Sequence, residues 1–469
     1  MSFPYWNADF IEKTSGGERF GDSGAATREF RGISTDTRTI GEGDWFVALK
    51  GPNFDGHDYI GAAFDAGVRG FVVERSFVPS PAHASAVFVR VTDTLAALGD
   101  IAHAHRLRFR VPLVAITGSN GKTTTKEMLG AILAKHFSGR VLVTQGNFNN
   151  LIGLPLTLFR LNGEHLAAVV EMGMSRRGEI RRLAEIASAD IGIVTNVSPV
   201  HLEHLTNIRD VAEAKRELFE RFGENQVAVL NADDPLVFEM SRVGKFPVRS
   251  FGIDNPADVT AADIATRSFE GIDFTLRVGE TFARVALTCV GRHNVHNALA
   301  AAAAATQLDV PIETIVAGLE SFRPAAMRMR ILDILRVKVI DDTYNASPRS
   351  MDAALSTLQE LAGDGRQVVV MGDMKELGAE TEAAHRRVGR HIAKNGVWRL
   401  VVIGESAPWV VEGATEEGMK SSQIVHATNH RDIVEYLRNV LGGGDVVLVK
   451  GSRAMRMELV VRGLKGEAF

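Results

Sequence analysis

The sequence predicts an α/β protein of three domains built around largely parallel sheets. Three observations carry that expectation. Short runs rich in Val and Ile alternate with helix-patterned stretches along most of the 469 residues. A glycine-rich turn joins one such run to a helical pattern. Breaks near "RLRFRVP" (106–112) and "FRPAAMRMR" (322–330) divide the chain into 1–108, 109–325 and 326–469, each within the usual domain range.

Composition narrows the class. With Lys plus Arg at 53 and Asp plus Glu at 57, the formal net charge is −4, which gives no electrostatic case for nucleic acid or an anionic membrane. Cys289 is the only cysteine, so no intrachain disulfide forms and a reducing compartment fits best. The opening "MSFPYWNADFIEK" lacks a basic segment followed by an apolar core, so no secretory signal is expected. The most apolar helical run, "ALAAAAAATQL" (298–308), is far shorter than the ~20 residues of a membrane span and reads as a tightly packed alanine helix. A cytoplasmic monomer with no membrane span is expected.

The elements follow in order. "VPLVAIT" (111–117) is a strand, Gly118-Ser119-Asn120-Gly121 a turn, and "KTTTKEMLGAILAKHF" a helix with apolar Leu129, Ile132, Leu133 and Phe137. N–H groups at such a helix start face phosphates, aided by the macrodipole. Lys122 is placed to reach β- and γ-phosphates, and the Thr123 hydroxyl to ligate Mg²⁺. The usual pattern G-x-x-x-x-G-K-[ST] wants glycine where Ile116 stands, so this loop is a shortened form.

"LAAVVEMG" (166–173) reads as a strand that leaves Glu171 at the sheet's carboxyl edge, where open α/β sheets bind ligands. "IGIVTNV" (191–197) precedes His201, with His204 nearby, and "QVAVLNADD" (226–234) is a further strand. In "RDVAEAKRELFERF" the apolar positions Val211, Leu218, Phe219 and Phe222 form a helical stripe on which Lys215 falls. Taken alone, Lys215 reads either as a lysine snorkelling its amine to water or as a desolvated amine with a lowered pKa. A neutral amine reacts with carbon dioxide to give a carbamate, an anionic oxygen ligand suited to Mg²⁺. Strands "VKVIDD" (337–342), "RQVVVMGD" (366–373), "RLVVIG" (399–404) and "DVVLVKGS" (445–452) complete the series.

T-G-S-N-G-K-T-T, E-M-G, T-N-V-x-x-x-H and A-E-A-K, in this order, resemble the Mur ligases, the ATP-dependent enzymes that build the peptidoglycan stem peptide. "STDTRTIGEGDWFVALKGPNFDGHDYI" (34–60), "TQGNFNNLIGLP" (144–155), "GRHNVHNALAA" (291–301), "DDTYNASPRSM" (341–351), "MGDMKELG" (371–378) and "VKGSRAMRMELV" (449–460) resemble the branch that adds a dipeptide. Ser347 and Ala326 depart from it, where the family often has asparagine and glycine.

The resemblance implies an N-terminal UDP-binding domain, a central P-loop ATPase domain and a C-terminal Rossmann-like domain. It implies that UDP-N-acetylmuramoyl-tripeptide and D-alanyl-D-alanine are joined with ATP through an acyl phosphate. Gly118, Ser119, Asn120, Gly121, Lys122, Thr123 and Thr124 would hold the phosphates. Asn294 and Asn297 would meet adenine, with N-capping as the plainer alternative. Thr123 and Glu171 would hold one Mg²⁺, and Glu171, His201 and carbamylated Lys215 a second. Arg328 would contact the γ-phosphate, and Asp342, Tyr344 and Asn345 would meet ATP and the incoming dipeptide. Asn149 and Asn150 would contact the muramoyl peptide, and Ser34, Asp36, Arg38 and Lys50 the uridine diphosphate end. His385 and Lys450 match family positions without a role. A sister ligase adding a diamino acid, a folylpolyglutamate synthetase and a nucleotide-binding scaffold without turnover are the rivals. The chain lacks the D-N-P-R motif by which that sister grips its diamino acid.

Overall fold

The computed structural model describes residues 6–22, 24 and 29–468; the first five residues of the segment read for a secretory signal lie outside them. Three sheets follow one another along the chain. The first contains β1 (Glu18–Gly21), β2 (Gly32–Ser34), β3 (Asp44–Val47), β4 (Gly70–Glu74) and β5 (Val87–Val91), in the order β1-β5-β4-β3-β2. Only the β1–β5 pair is antiparallel. The helix Thr94–Arg106 then leads to the second sheet.

That sheet contains β6 (Leu113–Thr117), β7 (Val141–Val143), β8 (Ala167–Glu171), β9 (Ile191–Val194), β10 (Val227–Asn231), β11 (Val248–Gly252), β12 (Val259–Thr266), β13 (Ile272–Val278) and β14 (Thr281–Leu287). Its order is β14-β13-β12-β11-β10-β9-β6-β8-β7, parallel from β7 to β12. The strands β6, β8 and β9 are buried on both faces, which is why they read as unbroken apolar runs. The antiparallel meander β12–β14 is an addition that apolar runs did not reveal. In β13 the buried Ile272, Phe274 and Leu276 alternate with half-buried Asp273 and Thr275, a period-2 pattern with one face toward water.

The third sheet contains β15 (Arg330–Ile334), β16 (Val337–Asp342), β17 (Gln367–Gly372), β18 (Arg399–Ile403), β19 (Ile424–His426) and β20 (Val446–Lys450), in the order β15-β16-β20-β17-β18-β19. Only β15 runs antiparallel.

Two helices position the site. Arg292–Thr306 carries Ala298 and Ala300 to Ala305, all fully buried, and packs against the helix Lys122–His136 and β11. Methyl side chains permit that close approach. The helix Ile208–Arg216, read from sequence as continuing to Phe222, tightens to a 3₁₀ turn at Glu217–Phe219. There the buried Glu217 carboxylate turns away to accept from the Gly178 and Arg181 amides at the start of the helix Glu179–Ala187. Among the described residues no helix is long and apolar enough to cross a membrane.

Candidate active site

Strand β6 ends at Thr117, and the chain turns through two glycines that nothing larger replaces. Gly118 has φ +149°, and a Cβ there would lie 1.9 Å from Thr195 Oγ1; Gly121 has φ +82°, and a Cβ would lie 2.3 Å from Asn297 Oδ1. The exit of β9 clamps the loop. The Thr195 hydroxyl and the Asn196 amide donate to the Asn120 carbonyl at 2.6 and 3.0 Å, and Asn196 Oδ1 accepts from the Asn120 N–H at 2.9 Å. The Ser119 hydroxyl donates to the Ser198 carbonyl at 3.2 Å and accepts from the Ser198 N–H at 2.9 Å. The Lys122 ammonium folds back to donate to the Gly118 carbonyl at 2.7 Å. Burial pushes this ammonium below its ordinary pKa, opposed by Glu171 and aided by Arg328.

Glu171, buried at the end of β8, is the hub. Its Oε2 accepts from the Thr123 hydroxyl at 2.9 Å and its Oε1 from the Asn149 amide at 2.8 Å. Arg328 reaches in from the segment before β15, donates to Thr123 Oγ1 at 2.9 Å and lies 3.9 Å over the Tyr344 ring. Asp342 accepts from the Met329 N–H at 3.1 Å. Lys450 is buried and donates to Asp342 and, at 2.9 Å, to the Asn345 carbonyl, so it braces the 342–345 turn from β20. Ser347 caps the helix Pro348–Ala362 and donates to Asn120 Oδ1 at 3.2 Å, tying that helix start to the phosphate loop.

His201 stands at φ +57° with Nδ1 2.5 Å from Glu376 Oε2, a contact between the second and third sheets' halves of the site. His385 is buried behind it, accepting from the Met374 N–H at 3.0 Å, and so fixes the turn that carries Glu376. Lys215 is fully buried, and no hydrogen-bond acceptor or carboxylate partner meets its amine among the described residues. Burial, with the nearby Lys122 charge, holds its pKa well below the ordinary lysine value. Among the described residues no three His, Cys, Asp or Glu side chains converge in metal-binding fashion.

A cavity of about 780 Å³ gathers Ser119 to Thr124, Asn149, Asn150, Glu171, His201, Asn294, Asn297, Arg328, Asp342, Tyr344 and Asn345 along its walls. Asn294 and Asn297 are not N-caps: Gly291 holds that position, and the Asn297 amide donates to Asn294 Oδ1 at 3.0 Å. Asn150 turns its Oδ1 to the Gly153 N–H at 2.8 Å, starting the helix Gly153–Leu158. Ser34, Asp36, Arg38 and Lys50 are not among the cavity's walls. Arg38 holds the Asp36 carboxyl down to about 2 through a two-pronged pair, and Lys50 lies 3.8 Å from Asp55.

Several residues lining the cavity or supporting its walls were given no role by the sequence reading. His293 is driven down to about 4 by burial, and the Cys289 thiol is pushed up to about 12 by burial, so it is inert. Arg349 donates to the Val197 carbonyl at 3.1 Å and to buried Asp234 at 3.0 Å, bridging the second and third sheets. Lys126, one turn beyond Lys122, lies fully buried 3.6 Å from Glu171. Only its i, i+4 spacing from Lys122 pointed to it.

Comparison with known proteins follows the same division. Residues 29–106, 116–305 and 327–453 match, in turn, the Mur ligase family catalytic domain, the Mur ligase middle domain and the Mur ligase glutamate ligase domain. UDP-N-acetylmuramoyl-tripeptide–D-alanyl-D-alanine ligases of Bacillus subtilis and Escherichia coli are each 36% identical, across 92% of this chain and 93% of theirs. The crystal structure of MurF from Acinetobacter baumannii aligns over the whole of both chains with a TM-score of 0.89 and 31% identity. MurF from Thermotoga maritima in complex with ADP aligns with a TM-score of 0.81 and 30% identity, over 93% of this chain and 97% of that one.

Proposed function

The chain belongs to the Mur ligase family, and on that premise we propose its reaction: ATP-driven joining of D-alanyl-D-alanine to UDP-N-acetylmuramoyl-tripeptide, giving the pentapeptide, ADP and phosphate. The observation that carries this reading is the line Arg328–Thr123–Glu171, each step 2.9 Å, which runs from the third sheet's segment across the cavity to the phosphate loop. Relatives named for this reaction match over more than nine-tenths of the chain.

The chemistry requires two anions, a peptide carboxylate and a triphosphate, to approach each other. Lys122, Arg328 and the N–H groups at the start of Lys122–His136 lower that repulsion and stabilise charge during transfer. Thr123 and Glu171, a hydroxyl and a buried carboxylate 2.9 Å apart, are hard oxygen donors that fit Mg²⁺. Bound there, the ion would neutralise phosphate charge. A second ion beside Glu171 and His201 would have the Glu171 carboxylate and an imidazole, and would need a further anionic oxygen donor. Lys215 supplies it as a carbamate: its neutral nitrogen bonds the carbon of CO₂ and releases a proton. Burial and the lack of any carboxylate partner support that modification.

The carboxylate attacks the γ-phosphate and ADP leaves; the dipeptide amine then attacks the acyl carbon and phosphate leaves. Water must be kept from the acyl phosphate, and the Ser347–Asn120, Arg349–Asp234 and Glu376–His201 contacts close the third sheet's half over the second. The Asn149 loop takes the muramoyl peptide, the Asp342–Asn345 turn the dipeptide, and Ser34, Asp36, Arg38 and Lys50 the uridine diphosphate. A single copy working in the cytoplasm completes the reading, in keeping with one buried thiol.

Phosphate release with ATP, the UDP-tripeptide and either D-alanyl-D-alanine or single amino acids tests the assignment, with mass analysis of the product. Turnover is expected only with the dipeptide. Acceptance of a diamino acid on a UDP-dipeptide instead would move the chain to a sister ligase.

A further inference from the structure

Lys126 has no part in the chemistry above, yet it is a cation with no solvent exposure. An ammonium is costly to bury unless anions and carbonyls replace its water. Three groups do so here. Glu127 Oε1 lies 3.1 Å from its Nζ, the Gly146 carbonyl 3.4 Å and Glu171 Oε2 3.6 Å. These partners come from three separate places: the phosphate-loop helix itself, the turn after β7, and the end of β8. The helix neighbours Met128, Leu129, Ile132 and Leu133 are apolar and fully buried, so a methionine would satisfy packing at this depth.

The Gly146 turn begins the stretch that carries Asn149. Gly146 stands at φ +54°, and three residues later the Asn149 amide donates to Glu171 Oε1 while its carbonyl accepts from the Gly173 N–H at 2.7 Å. The 146–149 turn is therefore held at both ends, by Lys126 at its entry and by the Glu171–Gly173 strand end at its exit. Lys126 touches both the turn and the carboxylate to which the turn is tied. Without it, the entry end keeps no charged tether to the phosphate-loop helix.

We infer that Lys126 is a positioning residue for the UDP-muramoyl-tripeptide: it sets the pose of the 146–149 turn relative to the phosphate loop, and so places Asn149 for the peptide. This rests on the assignment of that turn to the muramoyl peptide under the proposed function. The partners also set the direction of the effect. The contacts that hold Ser119 and Asn120 run through Thr195 to Ser198 and do not involve Lys126, and Thr123 keeps its own 2.9 Å bond to Glu171, which Lys126 approaches only to 3.6 Å, so affinity for ADP is expected to survive its loss.

The test is calorimetry on the full chain carrying Lys126→Met or Lys126→Arg. ADP is titrated first; UDP-muramoyl-tripeptide is then titrated with a non-hydrolysable ATP analogue and magnesium present. Lys126→Met is expected to weaken the UDP-tripeptide at least tenfold while ADP changes less than twofold. Lys126→Arg, which keeps the charge, is expected to recover most of the loss. Unchanged affinity for the UDP-tripeptide in Lys126→Met overturns the inference. So does an equal loss for both ligands, which would make Lys126 a plain structural residue of the helix. If the unaltered chain binds a UDP-dipeptide and not the UDP-tripeptide, the substrate assignment fails and Lys126 is not at issue.

Discussion

In the proposed mechanism a single side chain decides whether a second metal position exists. Lys215 sits at full burial with no anion to keep it protonated, which is the environment that leaves an amine nucleophilic toward carbon dioxide. Lys215→Ala is expected to cut turnover by two orders of magnitude or more, and millimolar acetate or formate is expected to return part of it by placing a carboxylate in the vacated space. Steady-state phosphate release with and without the added carboxylate measures this, and full activity in the variant would reduce Lys215 to packing. Residues of this kind differ in how visible they are beforehand. Lys122, Thr123 and Glu171 stand in short local patterns whose meaning is set by the next few positions. Arg349 acquires its own from Asp234, 115 positions away, and no local pattern announces it; Lys126 has only its spacing from Lys122, with Gly146 and Glu171 supplied by the fold.

At the level of elements, the phosphate loop owes its shape less to its own helix than to the exit of β9. Thr195 and Asn196 both donate to the Asn120 carbonyl. Thr195→Val keeps the volume and removes one of those donors, a change of about 1–2 kcal/mol for a partly buried group. The KM for ATP is expected to rise about 5- to 30-fold, with the KM for the UDP-tripeptide little altered; an unchanged ATP KM would show that Asn196 and Ser198 hold the loop without the Thr195 hydroxyl. The parallel strands were readable because burial on both faces demands unbroken Val and Ile. The meander β12–β14 was not, because a strand with one face toward water differs little in composition from the loops around it; the first sheet's strands, though β3, β4 and β5 are mostly buried, are only three to five residues long, too short for periodicity to mark them.

Across the molecule, the first and second sheets meet at His105. Its Nε2 contacts the Leu161 carbonyl at 2.9 Å and its ring lies 4.3 Å from the Trp6 ring, and burial pushes its pKa down to about 4. The unfolded chain titrates near 6.5. Above that value neither state binds the proton and nothing is lost. As pH falls from 6.5 toward 4, the unfolded chain takes up a proton that the folded chain refuses, and stability declines by on the order of 3 kcal/mol. Thermal midpoints between pH 7.5 and 5 are expected to fall less steeply in His105→Phe than in the unaltered chain. Parallel slopes would assign the acid sensitivity to other groups.

The alanine helix has a consequence of its own. Its side chains are already the smallest that carry a Cβ, and it is wedged between the sheet and the helix that begins at Gly121, with Asn297 pressed against that glycine. There is no slack to absorb growth. A valine introduced at Ala301 or Ala304 is expected to push on the loop's hinge and raise the KM for ATP, although neither side chain lines the cavity.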